Sequence, residues 1–108
     1  MAGGNGAGVE LALVTMVFEA NDAEELLAVL SKYVVLSRQH PGCRNIDLCA
    51  SVTEQGRYVI IQKWESAEAQ RSHFDSAAMV DMARSCEGML RFAPRIDLLD
   101  GISAHDLH

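Results

Sequence analysis

"CRNIDLCASVTEQGRYVIIQKWES", residues 43–66, holds two alternating runs around a short polar turn. In the first run Ile46, Leu48, Ala50 and Val52 fall on one side, and Cys43, Asn45, Asp47, Cys49 and Ser51 on the other. "EQG", 54–56, is the turn, and "RYVIIQKWE", 57–65, is the returning strand. Period-two alternation on both sides of a glycine-containing turn predicts a β-hairpin. Ser66 then offers a helix N-cap for "AEAQRSHFDS", 67–76, so the hairpin runs straight into a helix.

Upstream, "HPGC", 40–43, precedes the hairpin. Proline disfavours helical geometry at the residue before it, and Gly42 can take a positive φ, so this is a helix-ending turn. The helix it ends is "NDAEELLAVLSKYVVLSRQH", 21–40. Asn21 or Asp22 caps it, Glu24 or Glu25 completes a capping box, and Arg38 and His40 in the last turn complement the dipole. Ala23, Leu26, Leu27, Leu30, Tyr33, Val34 and Ser37 trace its apolar face. Before it, "VELALVTMVFEA", 9–20, is a strand apolar on both faces: Val9, Leu11, Leu13 and Val17 against Ala12, Val14, Met16 and Phe18. After the hairpin, a helical continuation, "AAMVDMARSCEGML", 77–90, aligns Met79, Met82, Ala83, Cys86 and Leu90, and Pro94 opens a last strand, "RIDLLD", 95–100.

The order is β-α-β-β-α-β, which predicts an α+β, ferredoxin-like antiparallel sheet with helices on one face. Residues 1–8 read as a glycine-rich leader, 9–100 as one domain and 101–108 as a patternless tail. The helices cover only one face, yet the first strand is apolar on both, as is much of "RYVIIQKWE". Leaving the second face wet would cost several kcal/mol at about 25 cal/mol per Å², so a homodimer through the sheet is expected.

Composition narrows the function classes. Fifteen acids against nine bases, a formal net charge of −6, and no basic run argue against nucleic acid. No apolar stretch approaches the roughly 20 residues of a membrane span, and the N-terminus lacks the pattern of a signal peptide. Three cysteines, an odd number, fit free thiols in the cytoplasm. No metal is expected: Cys43 and Cys49 lie about 20 Å apart along one strand, no second ligand pair accompanies His40 and Cys43, and His105 and His108 sit on the tail. Cys43 as a nucleophile with His40 as its base lacks a third, orienting residue.

Taken in order, the helix, "HPGC", the strand and turn, "RYVIIQKWES", the next helix with "HFDS", and "GMLRFAPRIDLL" at the end resemble the antibiotic biosynthesis monooxygenase family over nearly the whole of residues 9–100. The resemblance implies a dimeric α+β barrel and oxidation of a small acidic aromatic (an anthrone, naphthol or quinol) by O₂ without metal or flavin. Loss of a proton gives a delocalised anion, which reduces O₂ itself. The protein then has to bind, orient, stabilise the anion and manage protons in a dry pocket.

Carried over position by position, the resemblance places Trp64 at the site, to stack on a planar aromatic or simply to fill the core. It places Arg84 as a fixed cation, or as a solvated helix arginine. Two polar positions of the anthrone oxidisers are changed: an asparagine four residues before the tryptophan is Ile60 here, and a tyrosine six after it is Gln70. His73 is the replacement base available on the helix after Trp64, or else a surface histidine. Ile60, Gln70 and Phe74 are the candidate substrate-binding positions. A haem-degrading branch of the family needs an asparagine on the first strand, a helix tryptophan where His73 stands and a ligand near Ala83, so haem is not expected. Two further readings use the same fold: a non-oxidative isomerase or cyclase, which needs only a proton shuttle, and a non-catalytic dimeric module holding an apolar ligand.

Overall fold

Val14, Met16 and Phe18 lie completely buried along β1 (Ala12–Glu19), with the residues between them half exposed. That alternation anchors the fold. The structure, a computed structural model, describes residues 11–104. The predicted leader, Val9, His105 and His108 lie outside those residues.

The remaining elements are α1 (Ala23–Ser37), β2 (Cys43–Ala50), β3 (Arg57–Trp64), α2 (Ala67–Phe74), α3 (Ala77–Ser85) and β4 (Arg95–Asp100). The strands form one antiparallel sheet in the order β2-β3-β1-β4, and α1 packs on α3 over one face. This is the expected α+β ferredoxin-like arrangement.

Local chemistry sets the boundaries. The Asp22 carboxylate accepts from the Glu25 N–H at 3.0 Å and starts α1. α1 stops at Ser37, three residues short of the expected end, so Arg38 and His40 are not in its last turn. The Arg38 guanidinium instead donates to the Ile46 carbonyl at 3.0 Å, tying the helix end to β2. Leu27, expected on the buried face, is 40% exposed.

The second helical stretch is two helices. Ser76 accepts from the Met79 N–H at 3.3 Å and caps a new helix, because Asp75 and Ser76 satisfy the backbone locally and interrupt the ladder.

Two corrections concern the hairpin. A bulge between Cys43 and Asn45 places Cys43 opposite Trp64. Cys43 thus packs against the core instead of sharing the outer side with Asn45 and Asp47. Val52 is fully exposed and lies beyond the end of β2.

Inward positions of the four strands and the buried faces of α1 and α3 make one core. On the opposite side of the sheet, Leu13, Val17, Val59, Ile61 and Leu99 share a face that is left half exposed or exposed. Among the described residues no helix is long and apolar enough to cross a membrane.

Candidate functional site

The alternation of β3 turns Tyr58, Ile60, Gln62 and Trp64 toward the helices. The inward glutamine is the anomaly, a polar amide with no exposure in an apolar core. Such a group is tolerated only when its hydrogen bonds are made. Gln62 Oε1 accepts from the Trp64 indole N–H at 2.9 Å. Its Nε2 donates to the Tyr33 hydroxyl at 2.7 Å and lies 3.3 Å from Met16 Sδ. Tyr33, reached from the buried face of α1, lies 2.7 Å from His73 Nε2 on α2.

These bonds orient the Gln62 amide. The indole only donates, so the Gln62 carbonyl faces it and the amide nitrogen faces Tyr33. Tyr33 accepts from Gln62, and its own proton is assigned to the 2.7 Å bond with His73 Nε2. His73 is left as the Nδ1–H tautomer, and its Nδ1 is buried without a hydrogen-bond partner.

The His73 ring stacks on Trp64, with centroids 4.5 Å apart and planes 27° apart. The His40 ring meets both edge-on, at 5.1 Å from His73 and 5.7 Å from Trp64. Burial, helped by the charge of His40, pushes the His73 pKa from 6.5 down to about 4, so the imidazole is neutral at physiological pH. Burial raises the Tyr33 phenol above its ordinary value. The result is a neutral chain of donors and acceptors running Trp64, Gln62, Tyr33, His73.

Two apolar cavities adjoin this chain. One, of about 280 Å³, lies between the sheet and α3 and is lined by Met16, Phe18, Met79, Met82, Cys86 and Ile96 among others. The other, of about 210 Å³, opens between α1 and α3, with Tyr33, Val29, Leu36 and Met82 in its wall beside the polar Lys32, Asp81 and Ser85. Met82 is common to both. The five residues aligned in the sequence, Met79, Met82, Ala83, Cys86 and Leu90, all line the first.

Of the residues singled out in the sequence, Trp64 and His73 come together in direct ring contact. Arg84 does not join them: it is exposed in the last turn of α3, while both aromatic rings are fully enclosed. Ile60 is a core residue opposite Met16 and Leu48. Gln70 is buried one turn before His73, with its amide nitrogen unpaired, and Phe74 is half-buried at the end of α2.

Tyr33 and Gln62 were missed. The available signal was a polar atom at an inward position of an otherwise apolar pattern: Gln62 in the β3 alternation and Tyr33 on the apolar face of α1. The thiols offer no activated nucleophile, since burial raises both Cys43 and Cys86. Among the described residues no group of three or more His, Cys, Asp or Glu could hold a metal ion.

Comparison with known proteins agrees with this architecture. The sequence model of a family described as antibiotic biosynthesis monooxygenase matches residues 11–85. No curated protein matches the chain in sequence. Among solved structures, PA3566 of Pseudomonas aeruginosa is 25% identical, with a TM-score of 0.75 over 88% of this chain and 96% of that one. A mutant of SnoaB, a cofactor-independent oxygenase from Streptomyces nogalater, is 15% identical, with a TM-score of 0.76 over 90% and 97% of the two chains. A conserved protein of Methanosarcina mazei Go1 reaches 0.78 at 10% identity, covering 84% and 92%. At such identities the likeness is one of fold.

Proposed function

The chain belongs to the antibiotic biosynthesis monooxygenase family, and from that premise we propose that it oxidises a small acidic aromatic of the anthrone, naphthol or quinol type with O₂, using neither metal nor flavin. The observation that carries this reading is the position of Tyr33. Its ring walls an apolar cavity while its hydroxyl is hydrogen-bonded to the neutral His73.

An acidic aromatic seated against Tyr33 gives its proton to the phenol oxygen as Tyr33 passes its own proton to His73 Nε2. The delocalised anion left behind gives one electron to O₂, and the two radicals combine into a peroxide that, once protonated, loses water to leave a carbonyl. Excluding water leaves the delocalised anion less solvated and so a stronger reductant toward O₂. Gln62 holds the phenol oxygen in place and Trp64 holds Gln62, so the tryptophan acts here as a positioning residue. The departure from the anthrone oxidisers at Ile60 fits this arrangement: Tyr33 and Gln62 supply polar groups that Ile60 does not.

The test is O₂ uptake by the purified protein with EDTA present, over a panel of anthrones, naphthols and hydroquinones with protein-free controls. Protein-dependent uptake that falls at least tenfold in Tyr33→Phe is expected. Uptake no faster than the control across the panel rejects the oxygenase. Protein-dependent isomerisation without O₂ uptake would then favour the non-oxidative reading, which the same proton relay serves equally well.

The exposed apolar side of the sheet supports a second element of the proposal, pairing with another copy of the chain in the cytoplasm. Ile61 and Leu99, 36% and 47% exposed, lie on that side. Sedimentation should give a dimer that Ile61→Lys converts to monomer, and a wild-type monomer at micromolar concentration rejects it.

A further inference from the structure

The buried Nδ1–H of His73 is unexplained by the site as described. Leaving such a donor unpaired costs about 1–3 kcal/mol, and nothing in the Trp64–Gln62–Tyr33 chain uses it. The other imidazole packed against His73 is His40, edge-on at 5.1 Å and half exposed.

The backbone at His40 is held firmly. The Cys43 N–H donates to the His40 carbonyl at 3.1 Å, and the Glu65 N–H to the Gly42 carbonyl at 2.9 Å. Gly42 has φ +85°, and a Cβ there would come within 2.5 Å of Ala69 on α2. Only glycine lets the turn seat this closely against the helix carrying His73. The His40 Nδ1–H donates to the Pro41 carbonyl at 3.2 Å, which leaves Nε2 with a free lone pair in the neutral ring. His40 also lines a surface depression of about 450 Å³ together with Glu65, Ser66, Glu68 and Ser72.

We propose that His40 is the solvent-side end of the relay: a proton received by His73 at Nε2 leaves from Nδ1 through the His40 imidazole into the depression bounded by Glu65 and Glu68. The "HPGC" turn is thus a backbone mount for this ring. Its purpose rests on the oxygenase reading, in which a proton must leave the closed site and return. On the outward pass His73 gains a proton at Nε2 and loses one at Nδ1, while His40 accepts at Nε2 and releases to water or to a carboxylate. The peroxide anion later takes a proton back along the same path, which restores both starting tautomers. The titratable groups facing the two rings are Tyr33 from α1, Cys43 from the start of β2, and Glu65 and Glu68 around the depression. Rotation of the half-exposed His40 ring closes the gap to His73, which the resting geometry leaves open.

The experiment follows the His73 ring N–H by ¹⁵N NMR in the resting protein, with no substrate, so its outcome is independent of whether the chain is an oxygenase. In His40→Phe the edge contact is retained and the proton acceptor removed. Exchange of the His73 ring proton with solvent should slow at least tenfold while Trp64 emission is unchanged. Unchanged or faster exchange overturns the proposal. A second measurement needs no variant: in the wild-type protein the exchange rate should follow the titration of His40, read from its Cε1–H shift. A rate that rises tenfold per pH unit, as hydroxide-catalysed exchange through local opening would, also overturns it.

Discussion

The two ends of the β1–β3 pair carry polar networks built on opposite principles. At one end, Glu19 is clamped by Arg57 at 2.8 Å and Arg91 at 2.7 Å, and Arg91 reaches on to Asn21 at 2.7 Å. The two arginine side chains keep about 40% of their surface in water. At the other end, Trp64, Gln62, Tyr33 and His73 are almost wholly enclosed, and every member is neutral. The difference follows from solvent. The buried Glu19 carboxylate is tolerated because two guanidiniums that stay partly hydrated pair with it, whereas in the dry core the inexpensive polar group is an uncharged one with its bonds made. The ionic end joins two strands to the segment after α3. The neutral end is adjacent to the cavities and can pass a proton without creating a lasting buried charge.

Breaking the neutral network should have the largest effect. Gln62→Leu strands both the indole N–H and the Tyr33 oxygen, and with about 1–3 kcal/mol per orphaned group it should lower the urea-unfolding free energy by more than about 2 kcal/mol. A loss under 1 kcal/mol would mean that water or a rearranged side chain replaces the amide. Tyr33→Phe removes one hydroxyl from the middle of the chain and should cost about 1–3 kcal/mol, measured the same way, with a blue-shifted or quenched Trp64 emission where Gln62 loses its anchor.

Acid sharpens the comparison by separating the two ends along the pH axis. His73 stays neutral in the fold down to about pH 4, whereas in the unfolded chain it takes a proton near its ordinary 6.5. Between those values the unfolded state binds more protons, so stability falls as pH drops from 6.5 toward 4 and is complete above 6.5. His73→Phe should remove that decline. Glu19 is held ionised by Arg57 first and Arg91 next, which lowers its pKa below the ordinary 4.5. Its contribution is complete above 4.5 and is lost only as pH falls further, through its lowered folded value. Glu19→Gln should therefore flatten the lower part of the curve and leave the upper part intact. A single transition abolished by either variant would show that the two networks are coupled.

The smallest effect is expected from salt. The clamp is partly hydrated, so the destabilisation caused by Glu19→Gln should shrink on going to about 1 M NaCl, where screening acts within about 3 Å. The deficit of Gln62→Leu should not shrink, because no charge is involved.

How much of this was legible without coordinates differs from residue to residue. The hairpin around "EQG", the capping of α1 by Asp22, the positive φ of Gly42 in the turn before β2 and the cavity-facing row from Met79 to Leu90 follow from periodicity and turn chemistry, which are local. The bulge at Cys43, the second cap at Ser76 and the early end of α1 depend on competition between local hydrogen bonds and packing, and they shifted boundaries by a few residues. At the site, the resemblance pointed to Trp64 and Arg84, and His73 was the replacement base offered by the next helix; the structure brings the Trp64 and His73 rings together and leaves Arg84 in solvent.

The sequence by itself determined the order of elements, the alternation along the hairpin and the family to which the chain belongs, because these are written in short local spacings and motifs. Only the tertiary structure decided that Tyr33, Gln62 and His73, drawn from α1, β3 and α2, share one hydrogen-bonded chain, and that His40 sits against its end. Those contacts span as many as forty residues of chain. No periodicity records them, since they exist only once the sheet has set its register and the helices have closed over it.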